Sequence, residues 1–246
     1  RRRHSFPTRR SSDLVTGSGF DQIAYVMDPD SVIWLRRTDG TMAACTYERK
    51  QEVIAWHRHQ MGGTAAQVES IAVIPGADGD EIYLSVSRTI NGGTKKYIEV
   101  MVDDFRADTA KEDAVFLDSC LIYSGSSTST ISGLWHLEGQ TVDVLNNGNV
   151  ERGKTVSAGR ITLDVATTKA CIGLRYTMSV ETTDIEAGTR AGTGQSRPKK
   201  ISQLWLRLLR SMGGSVARGG DTYESTHLRP LIYRVPADVM DSSPPL

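Results

Sequence analysis

The chain has 246 residues, with 29 Lys and Arg against 29 Asp and Glu, so its formal net charge is zero. Apolar residues make up 39% and charged residues 24%, a composition that is ordinary for a globular protein and excludes a disordered or fibrous chain. No apolar run approaches the roughly 20 residues of a spanning helix, so we expect no membrane span. The 23 glycines, several of them in Asx-Gly pairs, favour β-structure.

The first 14 residues, Arg1–Leu14, contain five Arg and one Asp but almost no apolar pattern. They could form a disordered basic arm or an arm that binds nucleic acid. The string also resembles translated sequencing-adapter sequence, and we exclude it as non-native. The remaining chain then carries four more acidic than basic side chains, which removes most of the argument for a global attraction to nucleic acid.

A broken first strand, Val15–Met27, is predicted ahead of a three-stranded meander. The apolar runs Val32–Leu35 and Met42–Tyr47 flank Asp39-Gly40, a pair typical of a two-residue type I′ turn with φ > 0 at both positions. A third run, Val53–Trp56, follows a polar break. Such a meander has apolar surface and free edges, so we expect it to pack against neighbouring sheets.

A similar unit follows, with Val68–Pro75, Glu81–Arg88 and Lys95–Met101 as strands and Asn91-Gly92-Gly93 as a tight turn. Repeated short antiparallel sheets suggest the blades of a β-propeller. Two such units are fewer than the roughly four blades of a closed propeller. We therefore expect apolar faces or edges of these strands to be partly uncovered.

The middle of the chain is less regular. Phe105–Asp118 is acidic and predicted to hold a helical turn, and Cys120–Tyr123 is predicted as a short strand. Ser124–Ser132 reads SGSSTSTIS, which indicates a low-complexity linker or exposed loop and a domain boundary. Gly133–Thr183 holds about five short apolar runs, which together predict a small β-barrel.

Near the C-terminus, alternating Leu204, Leu206 and Leu208 favour a strand over Ile201–Arg210, although its composition would also suit a helix. His227–Val235 is predicted as a closing strand. The predicted fold is all-β: partial propeller-like antiparallel sheets with an inserted small barrel. The predicted division of the chain is an arm at 1–14, propeller-like sheets at 15–125, a small barrel at 126–190 and returning C-terminal strands at 191–246.

Candidate site residues are few. Cys45, Cys120 and Cys171 are odd in number and scattered, so we expect reduced core residues of a protein made in a reducing cytoplasm. His57 and His59 lie on one face of a predicted strand, as metal ligands can, but no third ligand follows at a motif spacing. We therefore expect these two histidines to have a structural or surface role.

Three further pairs and one glycine-rich segment have the residue types of catalytic or binding sites. Paired carboxylates could serve acid–base chemistry or bind Ca²⁺, but turn chemistry explains these first. The glycine-rich segment lacks the spacing of a phosphate-binding loop. We expect no catalytic residue, no cofactor and no metal site. The three pairs are His136 with Glu138, Asp78 with Asp80, and Asp103 with Asp104, and the glycine-rich segment is Gly192–Ser196 with Lys199 and Lys200.

The strands and turns resemble a known family in two stretches. Trp34–His59 (WLRRTDGTMAACTYERKQEVIAWHRH), Val68–Pro75 and Ser87–Met101 are similar to the tail tubular or nozzle-type proteins of short-tailed bacteriophages and related prophages. The segments Gly133–Val150, Gly159–Tyr176 and Gln195–Gly214 are similar to the second half of those proteins, which carry an FCCH-like β domain. The shared features are patterns of strands and turns, not catalytic signatures.

The resemblance implies a structural, non-enzymatic virion protein of the phage tail, made in the bacterial cytoplasm. It implies assembly with copies of itself and with other tail proteins into a DNA-delivery conduit. Because the family proteins are longer at both ends, we expect this chain to be an internal fragment. A tail-associated protein that binds or degrades glycans is the alternative, suggested by tryptophans on predicted strands and by the loose carboxylate pairs.

A local basic cluster bears on contact with DNA. It could touch DNA transiently inside a tail channel, although a solvated or inter-subunit face is the interpretation we favour. The cluster consists of Arg197, Lys199, Lys200, Arg207 and Arg210.

Overall fold

The computed structural model describes residues 17–77, 79–102 and 109–180. The chain divides into two compact units, Arg1–Tyr176 and Thr177–Leu246, and the first holds every described strand. No α-helix occurs in the described residues, so the all-β prediction is confirmed for them. The strands are β1 Phe20–Val26, β2 Val32–Arg37, β3 Met42–Glu48, β4 Val53–His59, β5 Gln67–Pro75, β6 Asp80–Ile90, β7 Gly93–Val100, β8 Asp118–Ser132, β9 Thr141–Asn146, β10 Asn149–Thr155 and β11 Arg160–Leu174.

The first sheet is the predicted meander with one more strand, in the order β1-β2-β3-β4 and antiparallel throughout. A register shift after Phe20 explains why the first strand looked broken in the sequence. The type I′ prediction at Asp39-Gly40 was wrong. Gly40 has φ 79° but Asp39 is not left-handed, and Gly40 N donates to Arg37 O at 3.0 Å while Arg37 N donates to Thr41 O at 2.9 Å. These bonds define a three-residue loop with a glycine bulge.

The second sheet, β5-β6-β7, confirms the second predicted unit. Ile90 pairs with Gly93, so Asn91 and Gly92 form a two-residue turn, and both have positive φ (47° and 74°). This is the type I′ geometry, which Asn and Gly adopt most easily. The register therefore follows directly from the local sequence.

The first two sheets pack face to face around a shared apolar core. The free edge of β5 is covered by side chains: Gln22 of β1 accepts from Ile71 N at 3.0 Å and donates to Ile71 O at 2.7 Å, while Arg36 donates to Val68 O at 2.8 Å. Side chains thus replace a missing strand, which protects the edge from pairing with another chain. The core residues are Val26, Trp34, Met42, Ala44, Val68, Ile71, Leu84 and Val86.

The third sheet has the order β10-β9-β11-β8 and corrects two predictions. Ser124–Ser132 is not a loop but the second half of β8, paired with β11. The polar composition misled us because this half of the strand is largely exposed and its Ser and Thr side chains face solvent. The runs Ile161–Val165 and Ala170–Leu174 are one strand, β11, whose pairing with β8 shifts register three times along its length.

The third sheet encloses its own core but does not close into a barrel. Where β10 approaches the start of β11, side chains make the contacts that a backbone ladder would make in a barrel. Asp164 N donates to Glu151 Oε2 at 2.9 Å, Asn146 Nδ2 donates to Val165 O at 2.8 Å, and Lys154 Nζ pairs with Asp164 at 2.6 Å. The eleven core residues are Ile131, Leu134, Leu137, Val142, Val144, Val156, Ile161, Leu163, Ala170, Ile172 and Leu174.

Three short 3₁₀ turns complete the described part, the first of them at Arg49–Gln51 between β3 and β4. The helical turn predicted within Phe105–Asp118 is present as a 3₁₀ turn at Lys111–Asp113. Trp135–Leu137 is another 3₁₀ turn, which buries Leu137. Predictions for Arg1–Leu14, Ile201–Arg210 and His227–Val235 lie outside the described residues.

Candidate functional site

Several predicted site residues lie outside the described residues. These are the basic cluster Arg197, Lys199, Lys200, Arg207 and Arg210, the glycine-rich segment Gly192–Ser196, and the carboxylates Asp78, Asp103 and Asp104. In the described part, no group of three or more His, Cys, Asp or Glu is placed to hold a metal ion. No helix in that part is long and apolar enough to cross a membrane.

The histidine pair of β4 lies on one strand face, as predicted, but its geometry is that of a packed pair. His57 Nδ1 and His59 Nε2 are 2.6 Å apart and share a hydrogen bond, and both rings lie against Trp34, with the His59 centroid at 4.9 Å. Burial, and then the nearby His57, lower the pKa of His59 to about 4. A neutral imidazole that bonds to its neighbour and packs on an indole stabilises the inner face of the first sheet.

The other described candidates each hold backbone groups in place. Glu138 accepts from Ala158 N and Gly159 N at 2.9 and 2.7 Å, and so fixes the turn before β11. His136 Nε2 lies 3.0 Å from Ser119 O. Asp80 Oδ2 accepts from Met27 N at 2.8 Å and ties the start of β6 to the end of β1. His136 and Glu138 therefore act separately and not as a catalytic pair.

A buried charge group, which sequence reasoning missed, lies beside the Gly62-Gly63 loop. Arg88 is fully buried, and its guanidinium forms two hydrogen bonds with the Glu99 carboxylate, one of them at 2.9 Å, while Arg88 Nε donates to Gly62 O at 2.8 Å. Asp118 accepts from Gly62 N. Burial raises the pKa of Asp118, although the Gly62 hydrogen bond and the Arg88 charge act in the opposite direction.

The sequence did contain a signal for this group. Arg88 continues the inward-facing series of Leu84 and Val86 on β6, and an arginine at an inward position requires a buried counter-charge. Glu99, the penultimate residue of β7, supplies that charge. The group holds a loop and two strands together, and it is a structural element of the fold.

Next to this group, a cleft of about 430 Å³ opens between the Gly63-Thr64 loop and the third sheet. Its polar lining includes Arg152, Arg175 and Asp143. Asp143 Oδ1 accepts a hydrogen bond from Gly153 N at 2.9 Å, so part of the negative charge of this carboxylate is already compensated within the protein. Two guanidinium groups against one carboxylate would suit a small anionic or hydroxyl-rich ligand.

The outer face of the first sheet is an unusual surface. Its residues alternate with those that face the shared core, yet they are apolar as well: Ile23 is 67%, Tyr25 50% and Ile54 62% exposed. Leu35 and Ala43 are buried beneath neighbouring side chains on this same face. A sheet that is apolar on both faces normally has both faces covered.

Comparison with known proteins does not place the chain in a family. A scan of family models found no match, and no curated protein matches the sequence.

Proposed function

We propose that this chain is a structural component of a bacteriophage tail, of the tubular or nozzle type. The support is the resemblance of its strand and turn patterns to such proteins, together with an all-β fold of antiparallel sheets. Within this proposal, the first two sheets correspond to propeller blades and the third sheet corresponds to the FCCH-like domain. The protein acts by assembly with its own copies and with other tail proteins, and not by catalysis.

The observation that carries the proposal is the outer face of the first sheet, formed by Ile23, Tyr25, Ile33, Tyr47, Ile54 and Trp56. The opposite face of this sheet is already buried against the second sheet. An apolar sheet face without a cover would promote aggregation in a free monomer, whereas a subunit of a ring would bury it against its neighbour. The exposed β7 edge with Ile98 and Val100 adds to the surface available for assembly.

A measurement of self-association tests assembly through this face directly. We expect the full chain to exceed monomer mass in size-exclusion chromatography with light scattering, at micromolar concentration. The double variant Ile23→Lys with Ile54→Lys should shift the chain toward monomer. Val165→Lys is the matched control, because Val165 is equally exposed but lies on the third sheet. A monodisperse monomer for the unaltered chain would overturn assembly through this face.

Contact with DNA is the second part of the proposal. If the cluster Arg197, Lys199, Lys200, Arg207 and Arg210 faces the conduit, and not solvent or a neighbouring subunit, its binding to DNA would depend on salt through counterion release. In a fluorescence-anisotropy titration with duplex DNA, Lys199→Glu with Lys200→Glu should weaken binding and flatten its salt dependence. Lys95→Glu with Lys96→Glu is the control, since these residues lie on β7. Equal loss in both variants would show that only net charge matters.

Glycan binding is the alternative function. The polar cleft favours it, with Gln140, Thr141, Asp143 and Arg152 among its lining residues. A glycosidase would need two carboxyl groups roughly 5–10 Å apart. Asp143 is the single carboxylate among the described residues of this cleft, so the cleft favours binding over cleavage. Isothermal titration with acidic oligosaccharides should show heat that Arg152→Ala abolishes if this function is the correct one.

A further inference from the structure

Two of the three cysteines meet on the third sheet. Cys171 of β11 pairs with Ile122 of β8, and a Cβ placed on Gly173 would lie 3.0 Å from the Cβ of Cys120. Cys120 therefore lies diagonally across from Cys171 on the same face of the sheet. The two thiols are close enough for each to shift the pKa of the other. This proximity could not be read from the sequence, where 50 residues separate them.

The backbone around the pair is irregular in a way that favours their approach. Ser119 has φ 51°, and the pairing of β8 with β11 shifts register between Ile172 and Leu174. Such a bulge increases strand twist and re-aims the side chain that follows it, here Cys120. Gly173 permits this close approach, because a Cβ at that position would lie only 2.7 Å from Asp118 O and 3.0 Å from the Cβ of Cys120.

The two thiols differ in access and in acidity. Cys171 is buried, whereas Cys120 is partly exposed. The interaction with the Cys171 thiol lowers the pKa of Cys120, against the opposing effects of burial and of the Asp118 and Glu99 carboxylates. The same contact, together with burial, raises the pKa of Cys171. A more accessible, more acidic thiol next to a buried one has the order of an attacking and a resolving cysteine.

We propose that Cys120 and Cys171 form an oxidisable thiol pair that closes into a disulfide between β8 and β11 when the protein meets a low-molecular-weight disulfide. The Cys120 thiolate attacks one sulfur of the oxidant, which breaks the oxidant's S–S bond and releases one small thiol. Cys171 then gives up its proton and attacks the Cys120 sulfur, which releases the second small thiol. Two protein thiols are oxidised and one small disulfide is reduced to two thiols.

Thiol counting on the full chain provides the test. After incubation with oxidised glutathione, denaturation and alkylation, we expect one labelled thiol per chain in place of three, with an intact mass lower by two hydrogen atoms. Peptide mapping should locate the bond between Cys120 and Cys171. The oxidised protein should melt roughly 5 °C or more above the reduced form, because the bond restricts the unfolded chain.

Cys45 offers the matched control. It is a buried thiol on β3, and burial raises its pKa. Cys45→Ser should still close the bond and retain no free thiol, whereas Cys120→Ser should keep both remaining thiols. Three free thiols after oxidation, a lasting mixed disulfide on Cys120, or chains linked to each other through Cys120 would each overturn the proposal. Because the readout is covalent chemistry within one chain, it is independent of whether the protein belongs to a phage tail.

Discussion

The first and third sheets are both four-stranded and antiparallel, but they treat their apolar residues differently. The third sheet bends around its own core of eleven buried residues. The first sheet shares one core with the second sheet and leaves apolar residues such as Ile23 and Ile54 exposed on its other face. The third sheet buries its apolar residues within its own core, whereas the first sheet leaves an apolar surface available to a neighbouring molecule.

The largest effect is expected when the third sheet is cut away from the rest of the chain. A piece that begins at Gly133, the start of the predicted barrel module, omits β8 and leaves one whole edge of β11 unpaired. We expect this piece to remain unfolded by circular dichroism, whereas residues 109–176, which keep all four strands, should melt cooperatively. Cooperative melting of the shorter piece would show that β8 is dispensable for the third sheet's core.

Removal of the buried Arg88 side chain should have the second-largest effect. Arg88→Ala leaves the Glu99 carboxylate without its partner, and we expect a loss of about 3–5 kcal/mol in the free energy of unfolding measured with urea. Lys96→Ala, which removes the exposed pair with Glu69, should cost less than about 1 kcal/mol. Similar costs for the two variants would mean that the Arg88 group is solvated and not a structural link.

Matched truncations compare the two kinds of surface. Ile172→Ala removes a fully buried side chain from the third sheet and should cost about 2–5 kcal/mol. Ile23→Ala, on the outer face of the first sheet, should change stability by under about 0.5 kcal/mol in dilute solution. If Ile23→Ala lowers the free energy of unfolding by a larger amount at high protein concentration, association between chains covers this face.

Acid should weaken the first sheet through His59. Its pKa of about 4 in the folded protein lies below the ordinary value of 6.5, so the unfolded chain binds more protons between these values. The stability is therefore fully present above pH 6.5 and falls as the pH drops toward 4, by on the order of 2 kcal/mol. Urea titrations from pH 7.5 to 4 should show a shallower decline for His59→Gln than for the unaltered chain.

The smallest effect concerns one hairpin. Gly92 has φ 74° with open space around it, so Gly92→Ala should cost about 1 kcal/mol from backbone strain alone. Gly93, its neighbour, does not have positive φ, and Gly93→Ala should be neutral within about 0.5 kcal/mol. Thermal melting of both variants measures the difference, and equal melting temperatures would argue against the type I′ turn.

Local sequence was sufficient for most strands and for the sharpest turns. Short apolar runs predicted β2, β3 and β4, and alternating apolar residues predicted β5 and β6. Asn91-Gly92 imposed its hairpin because both residues accept positive φ. Asp39-Gly40 shows the limit of this rule. The same kind of pair forms a bulged loop there, held by the pairing of the flanking strands and by the Thr41 bonds to Asp39.

Tertiary structure decided what depends on residues far apart in the chain. Ser124–Ser132 has a single large apolar side chain, Ile131, and becomes a strand because β11 pairs with it. The burial of Arg88 depends on Glu99 and the Gly62 carbonyl, and the meeting of Cys120 with Cys171 depends on the register of β8 against β11. Strand pairing between distant segments sets these contacts, and a short window of sequence does not show which distant segments will pair.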